Sequence, residues 1–341
     1  MRIAALVTAV AFVVLPGSAR PAGEPPIVIA VVDSGVDPAV PGLVAGRNVL
    51  AGSAETGDDV GHGTGVARVV AAGFVGCDAC RIMPVKIDSG GTSTQGTIAA
   101  GIRWAAEHGA RVINLSWGLA LGVRSTHEVE RAIANAIGRG AVVTTGAMND
   151  GTRNPRINPW ASDSPDAVRV TAVDGQGRLL PASNHGAWVD IGAPGTASSN
   201  AAPRVAAAAA LVLAAHPRLT PLEVRAALRR GCTPAPALDV GWHCVLDVEG
   251  AVKAAAESIP TFRLVVTKAG RGSGIVAGAA IECGLFCADR LDRGTTVMLT
   301  AAPTERSRFV RWLGACRSTK PSCALRMAGP ARVTALFVPK T

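Results

Sequence analysis

From Pro26 to about Ser258 the chain alternates short apolar, β-branched runs with longer Ala-rich segments of helical period. "IVIAVVD", "IMPVKI", "RVINLSWG", "GAVVTTG" and "AVRVTAV" read as strands, and the segments starting near His62, Thr94, Ser125, Ser199 and Thr220 read as helices. This alternation predicts an α/β domain with an open, mostly parallel central sheet and helices on both faces. In such sheets chemistry collects in the loops leaving the carboxyl ends of strands. From Phe262 onward helical period disappears. "FRLVVTKAG", "TTVMLTAAP", "SRFVRWLG" and "ARVTALFV" alternate between Gly, Pro and charged turns, which predicts a small all-β C-terminal domain. The boundaries read as 27–258 for the α/β domain and 262–341 for the β module.

The first residues, "MRIAALVTAVAFVVLPGSAR", have an early Arg, an apolar run too short to span a bilayer comfortably, and small residues ending in Ala19. Residues 1–19 are therefore expected to be a signal peptide and 20–26 a short linker, in a secreted protein of the periplasm or medium. A second apolar stretch, "VAAAAALVLAAH", follows Pro and Arg and reads as a buried central helix, so no stable membrane anchor is expected after cleavage. Export makes disulfides the default for the eight cysteines, which fall into four local couples: Cys77 with Cys80, Cys232 with Cys244, Cys283 with Cys287, and Cys316 with Cys323. Over a hundred pairings are possible in principle, so neighbour pairing is a hypothesis. A zinc ribbon at Cys77-x-x-Cys80 lacks a second close ligand pair. The net charge of +9 comes from scattered arginines without interleaved aromatics, which argues against nucleic acid as a partner.

Three stretches carry candidate chemistry. In "VVDSGVD" Asp33 ends the first strand; in "DDVGHGTGVARVVA" His62 sits between glycines at a helix start; in "APGTASSNAAPRVAAAAAL" a serine pair precedes a helix whose Pro203 is expected to fall in the first turn. Each alone is ordinary loop or cap chemistry. Together, at loop ends of an α/β sheet and in the order Asp, His, Ser, they are what a carboxylate-oriented imidazole base and its nucleophile require.

On these residues the chain resembles the subtilisin-like serine peptidases, the subtilase family, over roughly Ile27 to Ala256, and the resemblance implies that family's three-layer fold. "VVDSGVD", "GHGTGVA" and "SNAAPRVAAAAAL" resemble its aspartate, histidine and serine motifs, "INLSWG" its substrate-lining strand, and "SNHGAWVDIGAPG" the run leading to the serine loop. Registering on Pro203 selects Ser199 as nucleophile, with Asp33 and His62 completing the triad. The resemblance implies an oxyanion hole made by Asn149 in "TTGAMNDG" and the Ser199 N–H. It places substrate against Ser116, Trp117 and Gly118 on one side and Gly91, Thr92 and Ser93 on the other, with Met148 on the pocket wall. Polypeptides are the implied substrates, bound as an added strand.

The pattern departs from the family in places. Met148 and Ala197 stand where glycine is usual, so the backbone there is expected to avoid a glycine-only conformation. Gly65 and Arg68 replace a His and a Gly, the loop from Pro194 to Ser199 is short, and the few residues between Ala19 and the first strand leave no evident propeptide. These departures motivate a second reading, a binding module on the same fold; an acyl transferase using the same triad is a third. No cofactor is required for the chemistry. Structural calcium is not assignable, because Asp58, Asp59 and Asp150 read as solvated loop acids without EF-hand spacing. The C-terminal module, with its "CGLFC" and "GACRSTKPSC" clips, resembles bacterial β-repeat modules of exported proteins, for which a spacer, surface or glycan-contact role is expected.

Overall fold

The computed structural model describes residues 24–118, 124–257, 259–278, 281–284 and 286–340; the expected signal peptide lies outside them. The central element is β1 (Ile27–Asp33), buried along its whole length. Because side chains alternate across a strand, Ile27, Ile29 and Val31 enter one core while Val28, Ala30 and Val32 enter the other. An unbroken apolar run is what a parallel strand covered on both faces needs.

Around it lie β2 (Arg47–Asn48), α1 (His62–Ala72), β3 (Cys80–Lys86), α2 (Gln95–Glu107), β4 (Val112–Leu115), α3 (Glu128–Gly138) and β5 (Val142–Gly146). Then follow α4 (Pro159–Ser162), β6 (Val168–Val173), β7 (Ile191–Pro194), α5 (Ser198–Ala215), α6 (Pro221–Gly231), β8 (Thr233–Pro234), β9 (Cys244–Val245) and α7 (Val248–Ala255). The nine strands form one sheet in the order β2-β3-β1-β4-β5-β6-β7-β9-β8. Every pairing is parallel except β8 with β9. Helices α1, α5, α6 and α7 cover one face and α2 and α3 the other, so the chain has the three-layer α/β fold.

Three elements differ from the sequence reading. The third helix starts at Glu128 rather than near Ser125, after His127 in a left-handed conformation (φ 59°). The strand read through "SWG" ends at Leu115, leaving residues 116–118 as an edge segment outside it. Pro203 lies in the second turn of α5, not the first, since that helix begins at Ser198.

The C-terminal module consists of β10 (Thr261–Ala269), β11 (Gly274–Gly278), β12 (Ile281–Cys283), β13 (Ala288–Asp292), β14 (Thr296–Pro303), β15 (Ser307–Gly314), β16 (Ser322–Arg326) and β17 (Ala331–Pro339). Two four-stranded sheets, β13-β10-β17-β15 and β12-β11-β14-β16, share a core around Trp312, Phe337, Leu264 and Leu299. The cysteines are joined as Cys77–Cys80, Cys232–Cys244, Cys283–Cys287 and Cys316–Cys323.

The module is ion-paired to the α/β domain. Fully buried Asp190 accepts from Arg169 through both oxygens (2.9 and 2.6 Å) and from Arg225 (2.8 Å). Arg225 also reaches Asp289 of the module at 3.5 Å, Arg229 reaches Asp292 at 3.2 Å, and Arg290 reaches back to Asp166 at 2.6 Å. The Arg169 guanidinium lies 4.4 Å from the centre of the Phe286 ring, which the Cys283–Cys287 clip presents to a cluster containing Trp188 and Val240. Burial alone would raise the Asp190 carboxyl, but the two arginines hold it below the ordinary carboxylate range.

Removing one partner of a buried ion pair strands the others, so Asp190→Ala is expected to cost about 3–5 kcal/mol in denaturant unfolding of the full chain. A loss under about 1 kcal/mol, the scale of an exposed pair, contradicts this account.

Candidate active site

Asp33 stands at the carboxyl end of β1 with no exposed surface. Its Oδ1 accepts the Ser34 N–H at 2.8 Å and contacts His62 Nδ1 at 2.8 Å. That approach requires glycine at the second residue of α1: a Cβ on Gly63 would sit 2.1 Å from the Gly35 carbonyl oxygen and 3.0 Å from Asp33 Cβ. The Gly63 N–H instead donates to Ser34 Oγ at 3.0 Å. Gly61, at φ 91°, turns the chain into the helix and frees the imidazole of the first helical residue.

The entry to α1 is held by Asp58, which the sequence reading left as a solvated acid. It accepts from Ser34 Oγ, the N–H groups of Val60, Gly61 and Thr64, and the Thr64 hydroxyl at 2.6 Å. Burial pushes its carboxyl up, but the Thr64 hydroxyl and the three N–H donors bring it down to about 2. Asp59 is likewise engaged, by Lys86 at 2.6 Å and by the Ser89 hydroxyl. Buried Lys86, paired in register with Asp33, also donates to the carbonyls of Ser34 and Gly57, satisfying its three protons.

On the other side, Ser199 is the second residue of α5 and half-buried. Pro203 has no N–H to return to the carbonyl four residues earlier, which is that of Ser199. Ser116 Oγ takes that place, donating to the Ser199 carbonyl at 3.3 Å while accepting from buried Asn114 at 2.9 Å. Next to Ser116, the Trp117 ring stands edge-on to His62 with centroids 6.1 Å apart. The edge 116–118 thus touches both the imidazole and the backbone of Ser199.

Asn149 follows β5. Its Oδ1 accepts the Ser198 N–H at 2.8 Å, which commits the amide oxygen and leaves Nδ2 as the donor. The loop carrying it is held by Asn184, a fully buried residue that sequence reasoning missed. Asn184 donates to the Ala147 carbonyl at 2.8 Å and to Asp150, and accepts from the N–H groups of Asp150 and Thr152 at 2.9 and 3.1 Å. Met148 adopts φ 74°, so the left-handed conformation is kept although a side chain there costs roughly 1–2 kcal/mol. Contrary to the expectation from its side chain, the Met148 backbone does not avoid the glycine-favoured region. Ala197 is extended (φ −157°), which any residue adopts.

Gly91, Thr92 and Ser93 lie beyond the carboxyl end of β3, the sheet edge that also carries Asp33. Buried Asp88 fixes this loop by accepting the N–H groups of Gly91 and Ser93 at 3.1 and 2.9 Å. The structure therefore joins Asp33 directly to His62, and Ser116, Ser199 and Asn149 through α5, with residues 91–93 on the same edge. Of the missed groups, Asp58 had a signal: an acid shortly before a helix start is a cap candidate. Lys86 and Asn184 sit in runs that read only as strand and loop.

The arrangement can do acid–base chemistry. Its Asp33 contact raises the His62 imidazole above its ordinary value, against the opposing effect of burial, with Asp58 and Asp88 adding to the rise. A raised imidazole stabilises the folded chain below its unfolded value and loses that contribution as pH climbs through the folded one.

Residues 25–242 match the Subtilase family profile, and residues 265–341 match the Divergent InlB B-repeat domain. The chain is 34% identical over 229 residues to the thermophilic serine proteinase of Bacillus sp. strain AK1, covering 59% of this chain and 55% of that protein. It is 31% identical over 224 residues to subtilisin DY of Bacillus licheniformis, covering 58% and 80% of the two chains. Fervidolysin from Fervidobacterium pennivorans, a keratinolytic enzyme related to subtilisin, superposes with a TM-score of 0.62 at 21% identity, covering 91% of this chain and 59% of that one. The last likeness concerns the fold.

The raised imidazole gives a direct expectation. In a proton-NMR titration His62 should titrate above 6.5, and Asp33→Asn should bring it down; a wild-type midpoint at or below 6.5 refutes the assignment.

Proposed function

Because the chain belongs to the subtilase family of serine-type endopeptidases, we propose that it is an exported serine endopeptidase that cleaves polypeptides through Asp33, His62 and Ser199. The observation that carries this reading is the Asp33–His62 contact of 2.8 Å at the sheet edge that also presents Ser199 at a helix start.

In the proposed reaction His62 removes the proton of Ser199 Oγ, and that oxygen attacks the peptide carbonyl carbon. Asp33 holds Nδ1 and stabilises the imidazolium that forms. The oxyanion is met by the Ser199 N–H and Asn149 Nδ2, with the positive end of α5 behind them. His62 then protonates the leaving amine, and water repeats the sequence on the acyl-enzyme. Side chains supply acid, base and nucleophile, so the reaction calls for no metal or organic cofactor. Substrate backbone would lie between residues 116–118 and 91–93, extending the sheet edge.

Among the described residues no helix is long and apolar enough to cross a membrane. Export rests on the N-terminal sequence pattern, and the four disulfides fit an oxidising compartment.

Fluorophosphonate labelling of the purified full chain, mapped by mass spectrometry, tests the reading. A label on Ser199 that disappears in Ser199→Ala is the expected result; a folded, unlabelled wild type points instead to a binding module. Asn184→Ala should lower kcat by about 10²–10³, the scale of losing an oxyanion donor, with a smaller change in KM. An unchanged kcat would remove Asn184 from the positioning role given to it.

A further inference from the structure

The position of the oxyanion donors fixes where a substrate side chain must go. The carbonyl held between the Ser199 N–H and Asn149 Nδ2 belongs to the residue before the scissile bond, the P1 residue. Its side chain branches one atom away. It must enter the space between the residue preceding Asn149 and the edge 116–118, whose Ser116 is hydrogen-bonded to the Ser199 backbone. The residue preceding Asn149 is Met148, and the edge includes Gly118.

Met148 occupies the Gly118 side of that space. A Cβ built on Gly118 would lie 2.3 Å from Met148 Sδ, 2.8 Å from Cγ and 3.0 Å from Cε, so the whole thioether arm lies flat against the Gly118 backbone. Glycine at 118 makes room for it, and Met148 holds a left-handed backbone that glycine would adopt without strain. Asn184 grips the neighbouring Ala147 carbonyl and Asp150 N–H, so the loop cannot carry Met148 away without breaking buried hydrogen bonds.

We infer that Met148 closes the P1 pocket against Gly118 and restricts the enzyme to peptides with a small P1 residue, glycine or alanine. The inference rests on the peptidase reading. A bulky P1 side chain would have to displace the thioether arm, whereas a hydrogen or a methyl group asks for far less room beside it. Pocket contacts that differ by a few methylene groups discriminate tenfold or more in kcat/KM.

The test compares tetrapeptide anilides that differ only at P1, Ala against Phe, on the full-length wild type, Met148→Gly and Met148→Ala, with competent Ser199 counted by fluorophosphonate labelling of a separate aliquot of each. Glycine suits φ 74° and is expected to fold; Met148→Ala shortens the arm on the same backbone. The expected result is a wild type that prefers Ala by at least tenfold in kcat/KM. In Met148→Gly the Phe substrate should gain more than tenfold, with Met148→Ala in between. A wild type that labels yet cleaves Phe as well as Ala overturns the inference and leaves the peptidase reading standing, as does an unchanged Ala-to-Phe ratio in both variants. A folded wild type that does not label overturns the peptidase reading, and this inference falls with it.

Discussion

The carboxylate of Asp33, taken wholly out of water at the end of the central strand, is the constraint around which this end of the molecule is organised. A buried charge is tolerated only where hydrogen bonds and an opposite charge compensate it. Compensation draws in the Ser34 N–H and the His62 imidazole, both on Oδ1. To deliver that imidazole, the start of α1 must pass so close to the turn after β1 that Gly63 can carry no side chain. Ser34 then links the two elements, accepting from Gly63 and donating to Asp58. Beside it, Lys86 closes the loop through carbonyls of residues 34 and 57. One buried oxygen thus accounts for two glycines, a serine, an acid and a lysine that otherwise have no common cause.

A second buried carboxylate does the same on the far side of the sheet, and it explains why the β module is part of the molecule's architecture. Asp190 is shared by arginines from β6 and α6, and the α6 arginine extends to Asp289 in the module. Burial raises the Asp289 carboxyl, with Arg225 and Arg229 of the α/β domain opposing the rise. Phe286 completes the contact by covering Arg169. The short Cys283–Cys287 bridge keeps that ring at the tip of its loop.

How much of this was legible in the sequence follows from the range of each interaction. The parallel sheet was legible because strands such as Ile27–Asp33 are apolar throughout, a pattern set by local composition. The Asp33–His62 contact was legible through motif order and glycine context, though each residue alone was an ordinary loop residue. Asn184 and Lys86 were not, because their partners lie dozens of residues away and their own neighbourhoods look like any strand or loop. The arginines that grip the module were hidden in the same way. Scattered positive charge in a basic chain reads as solubility until the fold shows that Arg169 and Arg225 have almost no exposed surface. The start of α3 was misplaced by a few residues because His127 turns the chain in a left-handed conformation that the apolar period does not report.

Pro203 shows why such local errors matter for chemistry. Placed in the first turn it would be a harmless helix starter. In the second turn it withholds the N–H that a regular helix would return to the half-buried Ser199 carbonyl. Ser116 provides a donor instead, and Asn114, itself bonded to Thr144 on β5, holds Ser116 in place. The missing helical hydrogen bond therefore becomes the tie that registers the 116–118 edge against Ser199. The same edge carries Gly118, which lies against the Met148 side chain.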